Sequence, residues 1–220
     1  MEKIPSFNAC VQKSIIDHWD LDALTDFKGQ TLQYHDVARK IEKLHILFEN
    51  SGVVKGDKIA LAGRNSANWA VAFLATLTYG AVAVPVLHEF TADQMHNIVN
   101  HSEAKLLFVG DVVAPYLTME PMPNVEAIVY LPDFSLRQCK LEKLSFAREH
   151  LNELFGNKYP KFFRKEHVAY HCDHAEELAI INYTSGTTGF SKGVMLPYRA
   201  LWGNLDFMMH ELAPHIPVAG

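Results

Sequence analysis

The sequence predicts an α/β protein built on a layered, mostly parallel sheet flanked by helices. Three observations carry that expectation. Helix-like and strand-like segments alternate from about residue 34 onward. The strand segments are short unbroken apolar runs, as expected of strands covered on both faces. The connections between them are long enough to hold a helix, which parallel neighbours require.

Val37, Ile41, Leu44 and Phe48 fall at helical spacing, and that helix stops at Ser51-Gly52. A buried strand is expected at Lys58 to Ala62, a helix at Asn68 to Tyr79 and a second strand at Ala81 to Val86. Thr91 followed by Gln94 forms a capping box that opens the next helix. Leu106 to Val109 and Ala127 to Leu131 read as further strands, with a short helical segment after Asp111. Leu141, Leu144, Leu151 and Phe155 suit one amphipathic helix. Leu178 to Tyr183 is a strand by its β-branched content, and Tyr198, Leu201, Trp202, Leu205, Met209 and Leu212 mark a terminal helix.

The composition is that of an ordinary folded chain. With 49% hydrophobic, 11% aromatic and 20% charged residues among 220, disordered and fibrous classes are excluded. A net charge of −5 gives no overall attraction for nucleic acid. Locally, Lys158, Lys161, Arg164 and Lys165 interleave with Tyr159, Phe162 and Phe163. That stretch is either a solvated loop or a surface that meets phosphate or lipid headgroups, and the screening of four charges favours the loop. The uncharged run from Trp69 to Leu87 approaches the length of a membrane span. Gly80, Pro85 and the β-branched residues around them instead divide it into a buried helix and a buried strand, so no transmembrane segment is expected. Cys10, Cys139 and Cys172 are widely spaced and odd in number, and no secretory leader opens the chain, which together suggest a reducing, cytoplasmic setting. His167, His171, Cys172 and His174 lie close together, but no further ligand set accompanies them, and a solvated loop is the simpler reading.

The chemistry concentrates between the last predicted strand and the last predicted helix. There the hydroxyls of Thr184, Ser185, Thr187 and Thr188, the glycines Gly186 and Gly189, and the cation of Lys192 lie within nine residues. Small residues allow close approach, hydroxyls and backbone N–H groups donate to oxygens, and a lysine supplies a mobile charge, which is the inventory of a polyphosphate loop. The Walker pattern is absent, because Ser191 precedes Lys192 and Gly193 follows it, and Thr188 interrupts a dinucleotide glycine pattern. Composition alone also fits a Ser/Thr/Gly-rich turn.

Tyr183 to Val194 resembles the signature loop Y-T-S-G-[ST]-T-G-x-P-K-G-V of the AMP-forming adenylating enzymes, departing only at Ser191, where proline is usual. Losing that proline removes backbone stiffness and no donor. Gly56-Asp57-Lys58-Ile59-Ala60, Asn65-Ser66-Ala67-Asn68-Trp69 and Gly80-Ala81-Val82-Ala83-Val84-Pro85 are similar to other stretches of that superfamily. The likeness runs from about residue 30 to residue 212.

The resemblance implies the large amino-terminal domain of an adenylate-forming ligase, most like a long-chain fatty-acid-CoA ligase. It divides the chain into a first β-α sub-domain at roughly 30–172 and a phosphate-loop segment at 173–220 that begins a second. It implies that Thr184, Ser185, Gly186, Thr187, Thr188, Gly189 and Lys192 close over the phosphates of ATP, with Thr184 near Mg2+. Lys192 would act catalytically, on the charge that builds on pyrophosphate. It further implies activation of a carboxylic acid, expected to be a fatty acid, to an acyl-adenylate and transfer of the acyl group to coenzyme A. Amino- or aryl-acid loading of a carrier protein, and non-catalytic nucleotide binding, are the alternatives. The family's acid in Y-G-x-T-E, its ribose-binding aspartate and its carboxy-terminal lysine have no counterpart in the 220 residues. The chain is therefore expected to be an incomplete domain without adenylation activity of its own. Exposed apolar surface, self-association and peripheral membrane contact are expected with it.

Overall fold

The computed structural model describes residues 6–184, 192–212 and 215. Helix α1 (Phe7–Asp17) begins at Ser6, whose hydroxyl accepts the Ala9 N–H. A small antiparallel hairpin follows, β1 (Asp22–Thr25) and β2 (Thr31–Gln33), standing apart from the main sheet. Then come α2 (Tyr34–Ser51), β3 (Lys58–Ala62), α3 (Ala67–Tyr79), β4 (Val82–Val86), α4 (Ala92–Ser102), β5 (Leu106–Val109) and β6 (Ala127–Tyr130). The chain continues through β7 (Leu136–Cys139), α5 (Glu142–Glu149), α6 (Leu151–Lys158), β8 (Leu178–Thr184), β9 (Lys192–Pro197) and α7 (Tyr198–Phe207). A wider π turn at Met208–Leu212 extends α7.

The main sheet has seven strands in the order β7-β6-β5-β3-β4-β8-β9. Its five inner strands are parallel, and β7 and β9 close the two edges antiparallel. This is the expected mostly parallel sheet flanked by helices. Alternate residues of each inner strand feed two cores, one on each face. Ile59, Leu61, Leu106 and Phe108 pack with Ile41, Leu44 and Phe48 of α2 and with α3. Ala60, Ala62, Leu107 and Val109 pack with Met95, Ile98 and Val99 of α4. Burying each large side chain contributes roughly 1.5 to 3 kcal/mol, so the unbroken apolar runs are explained by double-sided covering.

The uncharged run from Trp69 to Leu87 is spent as expected, on α3 and β4. Gly80 ends α3 at φ 86°, a left-handed position that glycine fills without strain. No described helix is long and apolar enough to cross a membrane. Pro85 lies in an interior strand, an unusual place for a residue without an N–H. Accordingly β4 pairs with β3 along its whole length but shares only the rung Ala83–Ile180 with β8.

Five features differ from the sequence expectation. The segment after Asp111 is a series of turns, with Ala114 and Val113 N–H groups bonded back to Gly110. The single helix expected around residues 141–155 is two, α5 and α6, divided at His150, where ψ swings to 19°. The β1–β2 hairpin, β7 and β9 were not expected. Strands β1, β2 and β7 are half-exposed and polar or too short to show an apolar run, and β9 has only Val194-Met195-Leu196, so edge strands carry little of the signal that marks buried ones.

A buried polar network locks the amino-terminal helix onto this frame. Asp173 accepts hydrogen bonds from Ser6 Oγ at 2.6 Å, Phe7 N at 3.0 Å and Asn8 N at 2.8 Å. Asn8 Nδ2 donates in turn to Leu77 O at 2.9 Å, which also accepts from Tyr198 Oη at 2.8 Å. One carboxylate thus holds the positive end of α1, and one carbonyl ties α1, α3 and α7 together.

Candidate functional site

The nine residues singled out by sequence connect β8 to β9, and the two strands form an antiparallel hairpin whose last rung is Thr184–Lys192. Both flanking candidates, Thr184 and Lys192, are exposed. The hairpin opens at the carboxyl end of the parallel strands, where open α/β sheets take their ligands. Ser185, Gly186, Thr187, Thr188 and Gly189 lie outside the described residues. Their candidacy therefore rests on sequence, whereas the structure fixes the two ends of the loop.

The base of the hairpin is built rigidly. Tyr183 is buried, and its Oη is 2.7 Å from Nδ1 of His101 on α4, the two rings meeting edge to face at 5.7 Å. Burial pushes the Tyr183 phenol above its ordinary range, so it stays protonated and polar where α4 meets β8. Across the rung from Tyr183 lies Gly193. A Cβ at Gly193 would stand 3.0 Å from Ile181 Cγ2 and 3.1 Å from the Tyr183 ring, so glycine leaves the space the ring occupies. Sequence reading placed Gly193 and Tyr183 in the motif but did not find His101, 82 residues earlier, whose only local signal is its place in the last turn of α4.

The hairpin also explains how Lys192 is aimed. Strand pairing puts its Cα directly opposite Thr184, so a hydroxyl and an ammonium group leave the sheet side by side. Oxygens of a phosphate ligand would meet a neutral donor and a point charge there. A hydroxyl oxygen such as that of Thr184 is of the donor type that magnesium accepts.

The other sequence candidates separate on inspection. His171 is no solvated residue: its Nε2 lies 2.6 Å from Glu177 Oε1 and its ring packs under Gly80. Among the described residues no group of three or more His, Cys, Asp or Glu is placed to hold a metal ion. Cys10, Cys139 and Cys172 are free thiols. In the basic stretch, Lys158 is engaged by Glu42 at 2.7 Å and Glu49 at 3.5 Å, while Phe163 packs against Trp19, Phe155 and Tyr159. Phe162 remains exposed beneath Arg164.

Comparison with known proteins agrees with the fold. Residues 12–216 match the family described as AMP-binding enzyme. The chain is 27% identical to the fatty acid–[acyl-carrier-protein] ligase ScoC of Streptomyces coeruleorubidus, over 84% of its own length and 31% of the relative's. It is 26% identical to long chain acyl-CoA synthetase 3 of Arabidopsis thaliana, over 74% of its length and 24% of the relative's. The chain thus spans a quarter to a third of the length of these relatives. In fold it is similar to the anthranilate CoA ligase AuaEII in complex with anthranoyl-AMP, with a TM-score of 0.70 at 18% identity over 90% of this chain and 35% of that one. With residues 12–216, nearly the whole length, matched by the family model, the chain belongs to the AMP-binding enzyme family.

Proposed function

We propose that this chain supplies the phosphate-gripping part of an AMP-forming acid-thiol ligase, most like an acyl-CoA synthetase for fatty acids. The observation that supports it best is the β8–β9 hairpin, which brings Thr184 and Lys192 to one rung at the carboxyl end of the sheet. In the proposed reaction a substrate carboxylate oxygen attacks the α-phosphorus of ATP, and the bond to the β-phosphate oxygen breaks. An acyl-adenylate and pyrophosphate result. Attack by the coenzyme A thiol then forms a thioester and releases AMP and a proton.

In this reading residues Thr184 to Gly189 present hydroxyls and backbone N–H groups to the β- and γ-phosphates. Lys192 offsets the charge that accumulates on the departing pyrophosphate. Thr184 would offer a hydroxyl oxygen to Mg2+, whose charge would help neutralise the phosphates. The His101–Tyr183 contact keeps the root of the loop in place. Fatty-acid relatives among the matches support the substrate class, and a match to a 4-chlorobenzoate–CoA ligase of Arthrobacter sp keeps aryl acids as the second reading. We place the ribose-binding and second catalytic groups outside these 220 residues, so the isolated chain is proposed to be inactive.

Carboxylate-dependent ATP–pyrophosphate exchange tests the reading in a ligase containing this chain. Lys192→Ala should slow exchange roughly 10- to 150-fold, the equivalent of about 1.5 to 3 kcal/mol from a lost charge-assisted hydrogen bond. Unchanged exchange would refute the role given to Lys192. Comparing fatty with aryl acids in the same assay assigns the substrate class.

A further inference from the structure

A second cationic site lies on the opposite flank of the sheet, between α2 and α5. Its cleft, about 530 Å³, is lined by Arg39, Lys40 and Lys43 of α2, by Asp133 and Phe134 after β6, and by Arg148 of α5. Three of the four cations have only neutral partners among the described residues. Lys40 Nζ reaches Asn68 Oδ1 at 3.3 Å, and Lys43 Nζ donates to Asn152 Oδ1 at 2.8 Å. Arg148 donates to the carbonyls of Phe134 at 2.6 Å and Asp133 at 3.1 Å. The carboxylates of the cleft offset them only in part, Asp36 acting on Lys40 and Asp133 on Arg148. Asp36 is bonded to Arg39 at 3.1 Å, Asp133 accepts the Ser135 N–H at 2.9 Å, and Glu149 is exposed and makes no ion pair with a described residue.

This crowding is costly for a fold. Burial pushes the ammonium of Lys43 below its ordinary range, and the charges of Arg39, Lys40 and Arg148 push it further the same way. Burial likewise lowers Lys40, with Asp36 opposing. The lysine ammonium groups also lie over aromatic faces, Lys40 Nζ 5.5 Å from the Phe134 ring centroid and Lys43 Nζ 5.4 Å from that of Phe155. Four converging cations against three carboxylates, one of them exposed, leave an excess of positive charge that suits an anion with several oxygens, and a concave cleft of this size suits a small soluble one.

We propose that this cleft binds a small phosphate-bearing anion, a phosphomonoester or diphosphate, through Lys40, Lys43 and Arg148, independently of the β8–β9 loop. The test is thermal unfolding of the chain at constant ionic strength with added pyrophosphate or glycerol phosphate. Three proteins are compared: the natural chain, the double variant Lys40→Met with Lys43→Met, and Lys192→Ala. Phosphate at a hundredfold excess over its dissociation constant should raise the natural Tm by roughly 5 to 10 °C. The double variant should unfold at the same or a higher temperature without phosphate, because two partly buried cations that repel their neighbours are gone, and should lose the phosphate-dependent rise. Lys192→Ala should keep it.

A rise that persists in the double variant, or that vanishes in Lys192→Ala, overturns the proposal, as does an equal rise with chloride. Amide shifts in the natural protein give a measurement that does not depend on a variant folding. Saturable changes at Phe134, Arg148 and Asn152 support the cleft, whereas changes confined to the hairpin, or binding only to vesicles containing phosphatidic acid, refute it.

Discussion

Acidification should expose the most heavily buried histidine. His45 of α2 is buried, with Nε2 3.0 Å from the Ala75 carbonyl and 3.2 Å from Thr78 Oγ1. Its ring is packed among Phe48, Tyr79 and Tyr170. Because Nε2 donates to a carbonyl, Nδ1 is the nitrogen that must accept a proton, and Glu42 is 4.0 Å from it. Glu42 is itself held by Lys158 at 2.7 Å, so its charge is partly spent. Burial therefore dominates and takes the His45 pKa down to about 4.

A base whose pKa is lower in the folded state binds fewer protons there than when unfolded. The stability from neutral His45 is complete above the unfolded value near ~6.5 and is lost as pH falls toward about 4. Within that window the slope approaches about 1.4 kcal/mol per pH unit, which amounts to about 2 kcal/mol between pH 7 and pH 5. His45→Gln retains a neutral donor for Ala75 and removes the titration. Urea unfolding of both proteins from pH 7.5 to 4.5 should give curves that converge as pH falls, the natural chain losing its advantage by this amount. Parallel curves across that range would refute the account of a buried, neutral His45.

Other perturbations follow from the same contacts. Asp173→Ala strips an acceptor from Ser6, Phe7 and Asn8 and should lower unfolding stability by about 3 kcal/mol, read as a reduced urea midpoint with amide exchange rising first in α1. Tyr183→Phe removes the bond to His101 and should cost about 1 kcal/mol, a Tm drop of roughly 2 to 4 °C. Gly193→Val forces Ile181 or the Tyr183 ring aside and should cost about 1 to 3 kcal/mol, visible as a displaced Tyr183 ring signal by NMR.

The inner strands were legible because doubly covered segments must be apolar throughout, and β3, β5 and β6 appear at or within one residue of their expected bounds. The Thr91 capping box and the helix stops were equally plain: Thr91 and Gln94 exchange the two hydrogen bonds their spacing implies. Elements that face solvent on one side left little trace. Leu136–Cys139 contains Arg137 and Gln138 and shows no apolar run, and Lys192–Pro197 offers only the short run Val194-Met195-Leu196 directly after the loop motif. At the candidate site the motif located Thr184 and Lys192 but not the rung that pairs them, nor His101, because pairing across a sheet depends on contacts between residues far apart in sequence. The cationic cleft was hidden for the same reason, with Lys43 and Asn152 separated by 109 positions.

The single rung between β4 and β8 has a consequence for synthesis. β4 is complete at Val86, but its partner β8 begins only at Leu178, so about 90 residues must still be made, over roughly 5 to 20 s at ordinary translation rates. During that interval β4 is an outer strand, Val82-Ala-Val-Pro-Val86, apolar and open to pairing with another nascent chain. Pro85 has no N–H to offer such a partner. The residue that limits the native β4–β8 ladder therefore acts earlier as a gatekeeper, keeping the waiting edge a poor template until its own strand arrives.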